Sequence, residues 1–172
     1  MFVENAPVSP IMDEKTGSSM LYSSGTTGQP KGIRHPLSGN PPDECPPRLQ
    51  RFRARYQLDA ETIYLSPAPL YHAAPLAFTL GVMAFGGCCV VMKQFDAQTA
   101  LAFIEEYEVT HSQWVPTMFV RMLRLDTAVR HQYRLDTHRF AIHAAAPCPI
   151  DVKHKMIDWW GPIGCGSLHI LL

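Results

Sequence analysis

The sequence predicts an α/β fold, with layers built on a mostly parallel sheet and flanking helices. Three observations predict it. From residue 62 onward, strand-like and helix-like patterns alternate. The stretch "CCVVMK" reads as a continuous apolar run of strand length, the signature of a strand covered on both faces. The chain has 172 residues, 47% hydrophobic and 17% charged, enough for one globular domain with a real core.

The elements follow in order. "SSMLYSS" is short and bounded by turn residues, and reads as a strand; "GIRHP" returns as a second, short one. Residues 38–47, "SGNPPDECPP", hold too much proline for regular structure. A short helix is expected over residues 49–56, then a strand at "TIYLS". "AAPLAFTLGVMAFGG" reads as an apolar helix stopped by two glycines. Asp96 can cap the next helix, whose apolar face is Ala97, Ala100, Leu101, Ile104 and Tyr107. "THSQWV" is a strand, and Pro116 suits the first turn of a helix that carries Phe119, Met122 and Leu123 inward. "RFAIHAAA" is a strand running into a turn at Pro147, after which Val152, Met156, Trp159 and Trp160 share one helical stripe.

Bulk properties exclude several classes. Fifteen basic residues balance fifteen acidic ones, so nothing points to a nucleic-acid or membrane-surface binder. Arg48, Arg51, Arg53 and Arg55 read as a solvated helix face. Five cysteines without C-x-x-C spacing suggest neither a disulfide frame nor a zinc site, and no metal ligands are assigned. The N-terminus lacks a basic region followed by an apolar one, as a signal peptide would need. The longest apolar stretch, residues 73–91, is broken by Pro75, Gly81, Gly86 and Gly87, and reads as helix, turn and strand. A reducing cytoplasm is the expected compartment.

Chemistry concentrates in "LYSSGTTGQPKG", residues 21–32. Gly25 and Gly28 let the backbone adopt angles barred to other residues, so that successive N–H groups can converge on an anion. Ser23, Ser24, Thr26 and Thr27 add hydroxyls, and Lys31 adds a mobile positive charge. A plain surface loop uses the same residue types. The pattern G-x-x-x-x-G-K-[ST] does not fit, because Gln29 and Pro30 separate Gly28 from Lys31 and Gly32 follows it; a kinase or GTPase loop of that kind is disfavoured. In parallel sheets ligands sit beyond the carboxyl ends of strands. The loops over residues 23–31, 67–74 and 144–147 are therefore expected to act together.

"YSSGTTGQPKG" resembles the phosphate loop of the AMP-forming adenylating enzymes: acyl-CoA synthetases, luciferases and peptide-synthetase adenylation domains. "LSPAPLYHAAP" resembles the segment of fatty-acid ligases whose His lines the acyl pocket. The 39-residue stretch opening "FGGCCVVMK" resembles the strand–helix–strand–helix run toward that pocket. "HAAAPCPIDVKHKMIDWWGP" resembles the turn that packs on adenine and its following helix. The resemblance spans residues 18–163, with residues 1–17 as a lead-in. It implies a fragment of the large N-terminal domain of an adenylate-forming enzyme. It also implies ATP, Mg2+ and coenzyme A as cofactors and a carboxylic acid, a fatty acid, as substrate.

By the same resemblance, Ser23, Ser24, Gly25, Thr26, Thr27, Gly28 and Lys31 hold the phosphates, with Lys31, Thr26 and Thr27 in catalytic contact. Ala145, Ala146 and Pro147 lie against adenine, although a tight strand-to-helix turn would look the same locally. His72, Trp114 and Pro116 border the acyl substrate; core packing is the other reading of all three.

The resemblance stops after Ile163. "GCGSLHILL" does not match, no Tyr-x-x-Thr-Glu occurs, and the family's ribose Asp, hinge and C-terminal Lys have no counterpart. Residues 164–172 look like the trace of a frameshift or truncation. The 172-residue polypeptide is therefore expected to lack appreciable ligase activity, and bare sheet edges are expected to favour aggregation.

Overall fold

The structure is a computed structural model. It describes residues 7, 9, 11–23, 28, 29, 31–144, 146–161 and 163, with Ser23 described by its backbone only. The chain divides near residue 50 into two compact units, residues 1–50 and 51–171.

In the first unit, strands β1 (Met20–Ser23) and β2 (Lys31–Arg34) form an antiparallel ribbon. The register pairs Met20 with Arg34 and Ser23 with Lys31. A Cβ at Gly32 would meet only the ends of the exposed Met20 and Tyr22 side chains, at 2.7 and 3.2 Å, which can swing aside. The proline-rich segment is irregular, as expected, but anchored. Thr16 N–H donates to the Asn40 carbonyl at 2.8 Å, and its hydroxyl donates to the Pro41 carbonyl at 3.0 Å. Helix α1 (Pro47–Tyr56) follows, and its four arginines are exposed.

The second unit is a parallel four-stranded sheet in the order β4-β3-β5-β6. Its strands are β3 (Ile63–Ser66), β4 (Cys88–Val91), β5 (His111–Trp114) and β6 (Phe140–His143). The helices are α2 (Ala73–Ala84), α3 (Ala97–Glu106), α4 (Pro116–Leu123), the short α5 (Thr127–Arg130) and α6 (Ile150–Trp160). One face of the sheet packs Tyr64 and Ile142 against Tyr56 of α1 and Phe78 and Val82 of α2. The other packs Leu65, Trp114 and Ala141 against buried residues of α3, α4 and α6. The α/β class with a parallel sheet and flanking helices is thus the observed one.

Local signals account for most boundaries. Helix α2 stops at two glycines, as its sequence predicts. Gly86 takes φ +81°, and a Cβ on Gly87 would lie 2.8 Å from the Thr62 carbonyl and 2.7 Å from Val82 Cγ1. Asp96 caps α3 by accepting the Thr99 N–H at 2.8 Å, which also holds its carboxyl below the usual range. Pro116 opens α4.

Three expectations need correction. β4 is not covered on both faces: it is the edge strand, Cys88 and Val91 are exposed, and only Cys89 and Val90 are half-buried. Apolar composition made it look central, but an edge strand has a neighbour on one side only. The loop over residues 23–31 does not extend from the parallel sheet; it joins the two strands of a separate antiparallel ribbon. The loops over residues 67–74 and 144–147 do follow β3 and β6 of the parallel sheet. Tyr107 is 41% exposed because α3 ends at Glu106 and the chain turns at the residue expected to complete its apolar face. Helix α5 carries no sequence signal strong enough to be anticipated, being one turn with no buried residue. Among the described residues, no helix is long and apolar enough to cross a membrane.

Candidate active site

The phosphate-loop residues belong to the ribbon. Ser24, Gly25, Thr26 and Thr27 lie outside the described residues, as does the side chain of Ser23. What frames them is described. The register sets Ser23 opposite Lys31, so the cation stands where the loop closes. Lys31 is exposed. Gly28 takes φ +80° with nothing within 4 Å of the position its Cβ would occupy. A positive φ of this kind is one that glycine adopts without strain. Among the described residues, no three of His, Cys, Asp and Glu gather as a metal site.

His72 sits at the N-cap of α2 with extended backbone (φ −83°, ψ 143°), and its side chain makes no capping bond. Its N–H donates to the Pro69 carbonyl at 3.2 Å, closing the turn that aims it. The imidazole is exposed and lies against the Tyr71 ring, with centroids 4.4 Å apart. Pro116 is buried at the first turn of α4. Trp114 is 1% exposed and ends β5 inside the core. Its ring packs against Phe95, Phe119 and Trp160 at 6.3, 6.1 and 5.7 Å. The structure therefore separates the three predicted acyl-side residues into one at the surface and two in the scaffold behind it.

Of the predicted adenine turn, Ala145 lies outside the described residues, and Ala146 and Pro147 are exposed. Ala144, just before them, is buried and donates its N–H to the Trp114 carbonyl at 2.9 Å. That bond extends the β5–β6 pairing, in which Trp114 faces His143, to the threshold of the turn.

Beneath these loops the strand "HSQW" is buried along its whole length, and each polar side chain in it has a partner. His111 Nε2 donates to the Tyr56 carbonyl at 2.7 Å, which leaves Nδ1 to accept the Thr110 hydroxyl at 2.8 Å. Burial pushes its pKa down. Ser112 meets Trp114 and His138, and Gln113 Oε1 accepts the Tyr64 hydroxyl at 3.1 Å. Sequence reasoning passed over His138, because a lone His in the stretch between α5 and β6 carries no pattern. A cavity of ≈ 660 Å3 between α4, α5 and α6, lined by Leu123, Arg124, Arg130, Lys155 and Trp159, holds none of the predicted site residues.

The parallel sheet with flanking helices makes the second unit an α/β domain. The chain belongs to the AMP-binding enzyme family, whose model matches residues 3–167. It is 28% identical to 4-hydroxybutyrate–CoA ligase 2 of Metallosphaera sedula over 84% of this chain and 25% of that protein. It is 33% identical to 4-coumarate–CoA ligase-like 3 of Oryza sativa subsp. japonica over 69% of this chain and 20% of that protein. In fold it is similar to the fatty acyl-adenylate ligase from L. pneumophila, solved with acyl adenylate and pyrophosphate. The TM-score is 0.66 at 19% identity, covering 84% of this chain and 26% of that one. The chain spans about a quarter of the length of the curated relatives it matches.

Proposed function

We propose that residues 18–163 carry part of the adenylation chemistry of an AMP-forming acyl-CoA synthetase. The observation that carries this reading is the ribbon register, which sets Lys31 against Ser23 at the mouth of a hydroxyl- and glycine-rich loop. Membership of the AMP-binding enzyme family supports it.

In this reading the substrate is a carboxylic acid whose oxygen attacks the α-phosphate of ATP. The α–β phosphate bond breaks, pyrophosphate leaves, and the thiol of coenzyme A later displaces AMP to give the thioester. Ser23, Ser24, Gly25, Thr26, Thr27 and Gly28 hold the β- and γ-phosphates through N–H and hydroxyl donors. Lys31 places its charge where the leaving group accumulates negative charge, with Thr26 and Thr27 beside it. Mg2+ enters with the phosphates and is not held by a carboxylate cage of the described residues. Ala145, Ala146 and Pro147 let the adenine ring approach the backbone. His72 borders the acid, and Trp114 and Pro116 support that wall from behind. A fatty acid suits the apolar helix that follows His72, whose Leu76, Leu80 and Met83 are exposed. The cytoplasm is the compartment this chemistry fits.

The 172-residue polypeptide on its own binds nucleotide without turning it over. Titration with ATP in a calorimeter tests both halves of the reading. Saturable binding is expected, weakened at least about tenfold by Lys31→Ala, as befits loss of a charge-assisted contact. A wild-type chain that does not bind, or a Lys31→Ala variant that binds equally well, rules out the phosphate assignment. Acyl-adenylate release by the polypeptide would rule out binding without turnover.

A further inference from the structure

A chain of buried polar groups runs under the loops of the parallel sheet, and the proposed chemistry gives two of its members, Ser112 and His138, no task. Trp114 Nε1–H donates to Ser112 Oγ at 2.5 Å, and Ser112 Oγ lies 2.6 Å from His138 Nε2. Relative exposure is 1% for Trp114, 0% for Ser112 and 4% for His138. Ser112 Oγ accepts the indole N–H with one lone pair and, with its other lone pair or its proton, bonds His138 Nε2. Burial pushes the His138 pKa down to about 3, which keeps the imidazole neutral.

The consequence is geometric. Ser112 holds the polar end of the indole while Phe95, Phe119 and Trp160 hold its faces and edges. His138 rests against Trp160 at 5.0 Å, so it grips the same cluster twice. Trp114 cannot shift without breaking the serine bond. Its carbonyl, in turn, holds the Ala144 N–H, from which the chain leads to Ala146 and Pro147. Pro116, two residues on, starts α4. One locked residue thus sets the start of the loop to which the proposed function gives the adenine role and, through Pro116, the start of α4.

We propose that Ser112 and His138 are positioning residues: they lock the Trp114 indole, and through the Trp114–Ala144 backbone bond they set the adenine side of the site. The proposal rests on the adenine assignment made above. A residue two bonds removed from a ligand acts by narrowing the positions of those that touch it, which is the usual way a supporting shell contributes.

The test uses the 172-residue chain with AMP as probe and reads two quantities. The first is the Trp114 indole N–H resonance, identified by its loss in Trp114→Phe. The second is the AMP dissociation constant. Ser112→Ala is expected to move the resonance upfield and to weaken AMP binding about tenfold. Ser112→Thr, which keeps the hydroxyl, should restore both, and His138→Gln, which keeps an acceptor, should fall between. An unmoved resonance in Ser112→Ala overturns the lock. A moved resonance with unchanged AMP affinity assigns the network to stability alone and overturns the positioning role. Wild-type chain that fails to bind AMP refutes the adenine assignment itself, and with it the second half of the proposal, while the resonance still decides the first.

Discussion

Strands β4 and β5 flank β3 on opposite sides of one parallel sheet. β4 reads CCVV and β5 reads HSQW. By composition the first should be buried and the second should not. The structure has them the other way round: Cys88 and Val91 are exposed at the sheet edge, and all of β5 is buried. Position in the sheet decides burial, and composition must then be made compatible with it. β5 manages by satisfying each polar group locally. His111 spans Tyr56 and Thr110, Ser112 spans Trp114 and His138, and Gln113 meets Tyr64. Such a strand is costly to disturb, because removing one partner leaves another buried group unpaired. β4 has little to lose.

The largest expected effect breaks the core end of that contrast. Trp114→Ala removes a buried indole and its serine bond, and should lower unfolding free energy by about 3–5 kcal/mol, read from urea denaturation. A loss below about 1 kcal/mol would mean that β5 does not anchor the fold.

The next effect is one of pH. Burial lowers the pKa of His111 and sends that of His138 to about 3, against an ordinary value of 6.5. The unfolded chain therefore takes up protons that the folded chain refuses. The stability these neutral rings contribute is complete above pH 6.5 and is lost as pH falls from there toward the folded values. The slope is at most about 1.4 kcal/mol per pH unit for each histidine. Urea midpoints at pH 8, 6, 5 and 4 should decline in that window, and His138→Gln should flatten the decline. Flat midpoints in the wild type would show that the rings are not held neutral.

The smallest effect sharpens the edge end. Cys88→Ser at the exposed start of β4 should change stability by no more than about 0.5 kcal/mol. A cost of about 2 kcal/mol would show that the edge is covered after all.

Much of this fold was legible residue by residue. Gly86 and Gly87 announced the end of α2, Asp96 the start of α3 and Pro116 the start of α4, because caps and breakers act through their own backbone. The phosphate-loop pattern was legible for the same reason. The returning strand at "GIRHP" was legible too; that the pair forms a sheet of its own, apart from the parallel one, was not, because sheet membership depends on which strands find each other. His72 was legible as a candidate and stands exposed. Trp114 was legible only as a large aromatic; its seat in the core depends on Phe95, Phe119 and Trp160, which come from three other parts of the chain. His138 escaped notice because its partner, Ser112, lies 26 residues away.

The amino-acid sequence by itself determined most starts and stops of helices and strands, the α/β class, and which loop carries hydroxyls, glycines and a cation. Those properties follow from local dihedral preferences, capping and periodicity, which a residue carries wherever it lies. Only the tertiary structure decided which strand is central, which is the edge, and which polar side chains are buried together. Those depend on long-range pairing in the sheet, where a neighbour's presence or absence outweighs a residue's own preference for oil or water.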